Sequence, residues 1–177
     1  MHSPQRSITA YILAKDGNRP HLLEGAFVED AFLRMVVKTD AISFPATSDG
    51  RAAIAQTLVR SFSDAYENVY TFCLGEAPGD GAVEFSCRWL VAMNAKETGV
   101  VRVGGGRYDW RFAPDDGRVT SLEITIEEMQ LMPPDQLRPV MDWAAGLPYP
   151  WCGHEAASVA AAGVPCLRDL MSRLIVR

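Results

Sequence analysis

The stretch from Val69 to Leu131 limits what this chain can become, because strand-forming runs follow one another there with nothing but turn signals between them. Val69-Tyr70-Thr71-Phe72-Cys73-Leu74 ends in a cluster of Gly, Pro and Asp. Ala82 to Ala95 and Val100 to Phe112 are separated by residues 94 to 99, and Ala113-Pro114-Asp115-Asp116-Gly117 is a hairpin signal before Val119 to Leu131. In the last run Leu122, Ile124 and Ile126 alternate with Glu123, Thr125 and Glu127, a period of two that requires a sheet with two unlike faces. Consecutive strands joined in this way form an antiparallel meander whose apolar face must be covered. Gly104-Gly105-Gly106 interrupts one of these strands. No helix follows and no Lys-Ser/Thr is present, so the triplet reads as a bulge or tight bend and not as a phosphate loop.

Helical signals occupy the chain on either side. Ser3-Pro4 is an N-cap with proline at the first helical position, and Ile8, Tyr11, Ile12 and Lys15 follow at helical spacing until Asp16-Gly17-Asn18. Asn18 and Pro20 predict a second helix with Leu22, Leu23, Ala26 and Phe27 on its inner side, ending at Val28-Glu29-Asp30. Ala31 to Ser48 reads as two short strands or one bent strand, broken at Lys38-Thr39-Asp40 and closed by Pro45. Ile54, Leu58 and Phe62 define a third helix from Ser48-Asp49-Gly50 to about Tyr66. After Pro133, helices are predicted over 134–145, 153–162 and 167–176, with Leu147-Pro148-Tyr149-Pro150-Trp151 as a rigid loop. Residues 133–177 carry four acidic and four basic side chains, so the formal charge of −5 resides in residues 1–132.

The scarce residue types narrow the function. An acidic chain of 177 residues without a basic run is a poor partner for nucleic acid. No apolar run approaches the ~20 residues of a membrane span and the first residues are polar, so neither a signal peptide nor a membrane association is expected, and the expected location is cytoplasmic. Cys73, Cys87, Cys152 and Cys166 lack metal-ligand spacing and read as buried thiols, and three histidines do not make a histidine-rich metal site. Cys152-Gly153-His154-Glu155 reads as a loop entering a helix. No metal and no cofactor are expected.

The order helix, helix, strand, helix, antiparallel meander resembles the nuclear-transport-factor-2-like superfamily. Tyr11, Asp16, Leu23, Phe27 and Asp30-Ala31 are similar to the positions that open its SnoaL-like (polyketide-cyclase-like) branch. Gly50 with Ile54, and Gly106-Arg107-Tyr108 with Asp116-Gly117-Arg118, are similar to its later motifs. The resemblance implies an α+β fold: a cone-shaped, curled antiparallel sheet (cystatin-like) packed on three N-terminal helices, over residues 1–132, with residues 133–177 as a C-terminal helical extension that it does not explain. It implies a pocket for a small apolar or aromatic molecule bearing a polar group, and a homodimer formed through the convex sheet. Leu137, Val140, Met141 and Trp143, with Leu167, Leu170, Met171, Leu174 and Ile175, are then expected to cover the cone mouth or its sheet.

By the same resemblance Tyr11 and Tyr108 take the positions of the two oxyanion donors of ketosteroid isomerase, so two phenols would orient a carbonyl or enolate oxygen. The position of that enzyme's general base is Met35, which takes no proton. The segment Asp64-Ala65-Tyr66-Glu67-Asn68 lacks a His that many members carry, and Trp110 replaces an acidic residue. Candidate catalytic residues are therefore Tyr11, Asp16, Tyr108 and Asp109, and candidate pocket residues are Phe27, Met35, Phe62, Trp89, Trp110 and Phe112. Asp16 reads equally as a turn or capping residue. Tyr108, Trp110 and Phe112 alternate with Arg107, Asp109 and Arg111; with the aromatic set inward the charged set forms an outer lattice with Glu123 and Glu127, and with the faces reversed Asp109 becomes the best base. The activity implied is that of a cofactor-independent isomerase, dehydratase or cyclase acting next to a carbonyl. The alternative is a non-catalytic member that binds a ligand or a partner protein.

Overall fold

Ser3 caps helix α1 (Pro4–Asp16) by accepting from Arg6 N, and Pro4 opens the first turn. In the computed structural model, which describes residues 1–175, the exit from α1 differs from the sequence expectation. Asn18 does not cap a second α-helix. It lies in left-handed backbone at φ 50° immediately after α1, a conformation Asn tolerates, and Pro20–Gly25 is a single short 3-10 segment. Strand β1 (Phe27–Val37) therefore starts where the sequence pattern placed a helix face, with Phe27, Ala31, Leu33 and Met35 buried and Phe32 and Arg34 exposed. Residues 38–46 form an irregular connection to the edge strand β2 (Thr47–Asp49).

The third helix runs over 51–65 as α2 (Arg51–Ala55), a π-helical turn (Gln56–Arg60) and α3 (Ser61–Ala65). It buries Ile54, Leu58 and Phe62 as the four-residue spacing requires. The meander follows as β3 (Tyr66–Leu74), β4 (Glu84–Ala95), β5 (Val101–Phe112) and β6 (Val119–Met132), each antiparallel to the next. β1 lies parallel to β6, and the two-residue β7 (Trp151–Cys152) adds to β3, giving one open sheet in the order β2-β1-β6-β5-β4-β3-β7.

The glycine triplet bends this sheet. The register slips between Gly105 and Gly106, so Glu127 is bulged out of the ladder. A Cβ on Gly106 would stand 1.8 Å from Thr125 O, and one on Gly104 would stand 2.4 Å from Glu128 O. Only a residue without a side chain lets the strands approach so closely.

The bend leaves a concave and a convex face with separate cores. Tyr108, Trp110 and Phe112 point to the concave side, with Trp89, Ile124 and α1. The convex side is divided. Over one part α4 (Leu137–Ala145), α5 (His154–Ala162) and α6 (Pro165–Ile175) pack Val140, Trp143, Leu170 and Leu174 against Phe72, Leu90, Val101 and Val103. These three helices thus lie on the sheet and not over the concave side, while Tyr149 and Trp151 between them reach α1; Val176, expected at the end of the last helix, falls outside the described residues. The other part is the charged lattice, with Arg34–Glu123 at 3.4 Å, Arg88–Glu127 at 2.7 Å and Arg107–Asp109 at 2.8 Å. Among the described residues no helix is long and apolar enough to cross a membrane.

Candidate functional site

Tyr11 projects from α1 and Tyr108 from β5 into the concave core, and their rings meet edge to face with centroids 6.0 Å apart. Both are almost fully buried, and each hydroxyl is near enough to the other to influence its ionisation. Burial raises the Tyr11 phenol far above its usual value, only partly offset by the Tyr108 hydroxyl. Burial also raises Tyr108, and the neighbouring Tyr11 adds to the effect. The pair is therefore neutral across the ordinary pH range. Two neutral hydroxyls own two protons and can offer one to a third atom placed beside them.

That third atom would lie in the cavity beside them, which has a volume of about 40 Å³. Trp89 stacks on Tyr108 at 5.4 Å and lines the cavity, and its indole N–H has no hydrogen-bond partner among the described residues. Met35, Met93 and Met129 supply flexible apolar wall. Ile42 and Phe44 close it from the irregular 38–46 segment, which is tied down where Arg102 Nη1 donates to Ala41 O at 2.7 Å.

Lys15 is the polar residue that sequence reasoning left out of the site. One helical turn beyond Tyr11, it lines the same cavity and is 6% exposed. Its ammonium donates to Thr71 Oγ1 at 2.7 Å and to Asp16 Oδ1 at 3.1 Å, and it lies 4.4 Å from the Phe62 ring centroid. The i to i+4 spacing from Tyr11 was the available signal.

The remaining candidates separate. The Asp16 side chain is buried, and each of its oxygens is filled twice. Oδ1 accepts from Lys15 and from Thr71 Oγ1 at 2.8 Å, and Oδ2 accepts from Thr71 N at 2.7 Å and from Tyr149 OH at 2.8 Å. A carboxylate has about four acceptor sites, so this one has none left for a substrate proton. Asp109 is on the convex face, accepting from Ser86 Oγ at 2.6 Å and Arg107 Nε at 2.9 Å, and the reversed-face option is excluded. Of the expected pocket residues, Met35, Phe62 and Trp89 line the cavity. Phe27, Trp110 and Phe112 stand behind that wall in the same core, where Trp110 and Phe27 pack on Tyr11 at 5.5 and 5.9 Å. Cys73, Cys87 and Cys152 are buried free thiols, whereas Cys166 is half-buried. A hydrogen bond with Cys87, followed by burial, holds the Cys73 thiol well above its usual range.

No protein-family model matches the chain, and no curated protein sequence does. Solved structures match it in shape. A protein with a ketosteroid isomerase-like fold from Catenulispora acidiphila, in complex with trimethylamine, superposes with a TM-score of 0.52 and 20% identity over 66% of this chain and 82% of its own. An NTF2-like superfamily protein from Salmonella enterica gives a TM-score of 0.55 at 14% identity over 70% and 88%. An LEH-like epoxide hydrolase from M. tuberculosis gives 0.52 at 12% identity over 70% and 81%. The chain has the nuclear-transport-factor-2-like fold. The part of it that these structures leave uncovered is comparable in size to the C-terminal extension.

Proposed function

We propose that this chain is a small-molecule-binding protein of the SnoaL-like kind, which takes a compact, largely apolar molecule into the cone and holds one acceptor oxygen of it. The observation that carries this reading is the sign of the polar groups. The hydroxyls of Tyr11 and Tyr108, the Lys15 ammonium and the Trp89 N–H are donors, while the carboxylate oxygens of Asp16 are filled and Asp109 faces away. A buried set of donors favours a carbonyl or ether oxygen over a hydroxyl that must itself donate. The cavity of about 40 Å³ is far below the ~300–1,000 Å³ of pockets that enclose drug-sized ligands. Entry of a ring therefore requires Ile42 and Phe44 to swing away with the 38–46 segment and the three methionines to repack. The trimethylamine bound by the Catenulispora protein supports small-molecule binding on this fold.

The test is binding of cyclohexanone, followed by NMR titration, to the native chain and to Tyr11→Phe and Tyr108→Phe. Weaker binding in both variants is expected, and unchanged affinity in both would refute the reading. Catalysis next to a carbonyl is the second reading, favoured by the paired phenols, which would also stabilise an enolate. It needs a base, which Met35 does not supply and the filled carboxylate of Asp16 does not offer; exchange of the α-protons of cyclohexanone catalysed by the native chain would establish it over simple binding. A homodimer, if formed through the convex face, uses the charged part, since α4–α6 occupy the rest; sedimentation of the purified chain at micromolar concentration tests this.

A further inference from the structure

We propose that Lys15 is the residue that sets the ligand specificity of the cavity, as its charged donor, and that Tyr149 of the C-terminal extension is the positioning residue that holds it there through Asp16. This rests on the donor-lined reading of the cavity given above. An ammonium has three protons. Two are committed, to Thr71 Oγ1 and Asp16 Oδ1; the third has no acceptor among the described residues, and the ammonium lies 4.4 Å from the ring centroid of Phe62, which lines the cavity with Lys15. Asp16 is held in turn by Thr71 and by Tyr149, whose hydroxyl reaches it at 2.8 Å from the loop between α4 and β7. Tyr149 packs edge-on against Phe72 at 5.8 Å and Tyr70 at 6.0 Å, so its aim depends on the extension being seated. A chain of contacts therefore runs from the extension to the cavity wall: Tyr149, Asp16, Lys15.

Charge decides which oxygen fits. Lys15 and Asp16 cancel, and both phenols are neutral, so a carboxylate would bring an uncompensated negative charge into a buried site. The ligand class is a neutral carbonyl compound, whose oxygen accepts from the ammonium and the phenols without carrying a formal charge.

The experiment measures a ratio of affinities: cyclohexanone against its apolar counterpart methylcyclohexane, with cyclohexanecarboxylate as a third probe, titrated by NMR into the full chain. The native chain is expected to bind the ketone in preference to both. Lys15→Met is expected to cut the preference for ketone over hydrocarbon by about tenfold or more, the value of a hydrogen bond to a charged group. Tyr149→Phe is expected to cut it less, in the same direction. A purely structural role would weaken ketone and hydrocarbon together and leave the ratio unchanged; that result in Lys15→Met overturns the inference. If Lys15→Met does not fold, the double variant Lys15→Met/Asp16→Asn removes both charges and carries the same expectation. A ratio that falls in Tyr11→Phe but not in either Lys15 variant refutes Lys15 alone. A native chain with no preference for the ketone refutes the donor-lined reading itself, and tighter binding of the carboxylate overturns the ligand class.

Discussion

Replacing Asp16 by alanine probes the connection between the cone and its extension most sharply. The substitution removes an acceptor of four hydrogen bonds, from Thr71 N, Thr71 Oγ1, Tyr149 OH and Lys15 Nζ, and leaves Lys15, a residue only 6% exposed, without its counter-ion. Breaking a buried pair by deleting one partner costs about 3–5 kcal/mol. Tyr149→Phe deletes one bond to the same carboxylate from a ring that is 39% exposed, so it should cost less, about 1–2 kcal/mol. Urea unfolding followed by circular dichroism reads both, because a fall in midpoint at constant slope is a loss of stability. The double variant should cost less than the sum by about 1 kcal/mol, since the bond between the two residues is lost only once. Adding Lys15→Met to Asp16→Ala should restore part of the loss, because no unpaired charge then remains. Additivity of Asp16→Ala and Tyr149→Phe to within about 0.5 kcal/mol would show that the two side chains do not interact.

Other consequences can be checked by simpler means. Gly106→Ala places a methyl group 1.8 Å from Thr125 O, which neither strand can relieve by a rotamer change, and should cost about 3 kcal/mol or more, read as a lowered thermal midpoint. Burial raises the phenols of Tyr11, Tyr108 and Tyr149, so the folded chain holds these protons more tightly than the unfolded chain does. Their contribution to stability is complete below about pH 10 and is lost as pH rises above it, and the fully buried Tyr11 and Tyr108 should stay protonated until alkaline unfolding; stepwise tyrosinate absorbance from these two in the folded state would contradict this. Truncation after Met132 uncovers Phe72, Leu90, Val101 and Val103 and should give an aggregating or unfolded chain, which size-exclusion chromatography would show.

The meander and its bend could be read from residue order, because alternation in Val119 to Leu131 and the triplet Gly104-Gly105-Gly106 act through neighbours along the chain and across one turn. The same period of two put Tyr108, Trp110 and Phe112 on one face, and only the preference of small-molecule pockets for aromatic linings turned that face inward. The start of β1 did not, since Gly17-Asn18 carries both an ending signal and a capping signal, and the left-handed geometry of Asn18 selected the first. Tyr11 and Tyr108 were reached by resemblance. Lys15 was visible only as a helix residue at the right spacing. Its link to the extension was not legible, because Asp16 and Tyr149 are 133 positions apart and no local pattern marks a contact made by packing α4–α6 on the convex face.

The claim that the cone is a ligand site is tested most directly by methionine-methyl NMR. The chain has seven methionines, of which Met35, Met93 and Met129 line the cavity while Met132 and Met171 lie in the core beneath the extension. Saturable shifts of the three cavity methyls on titration with cyclohexanone, with Met132 and Met171 unmoved, are the predicted result. A titration that leaves Met35, Met93 and Met129 unmoved, or that shifts Met132 and Met171 in their place, would contradict it.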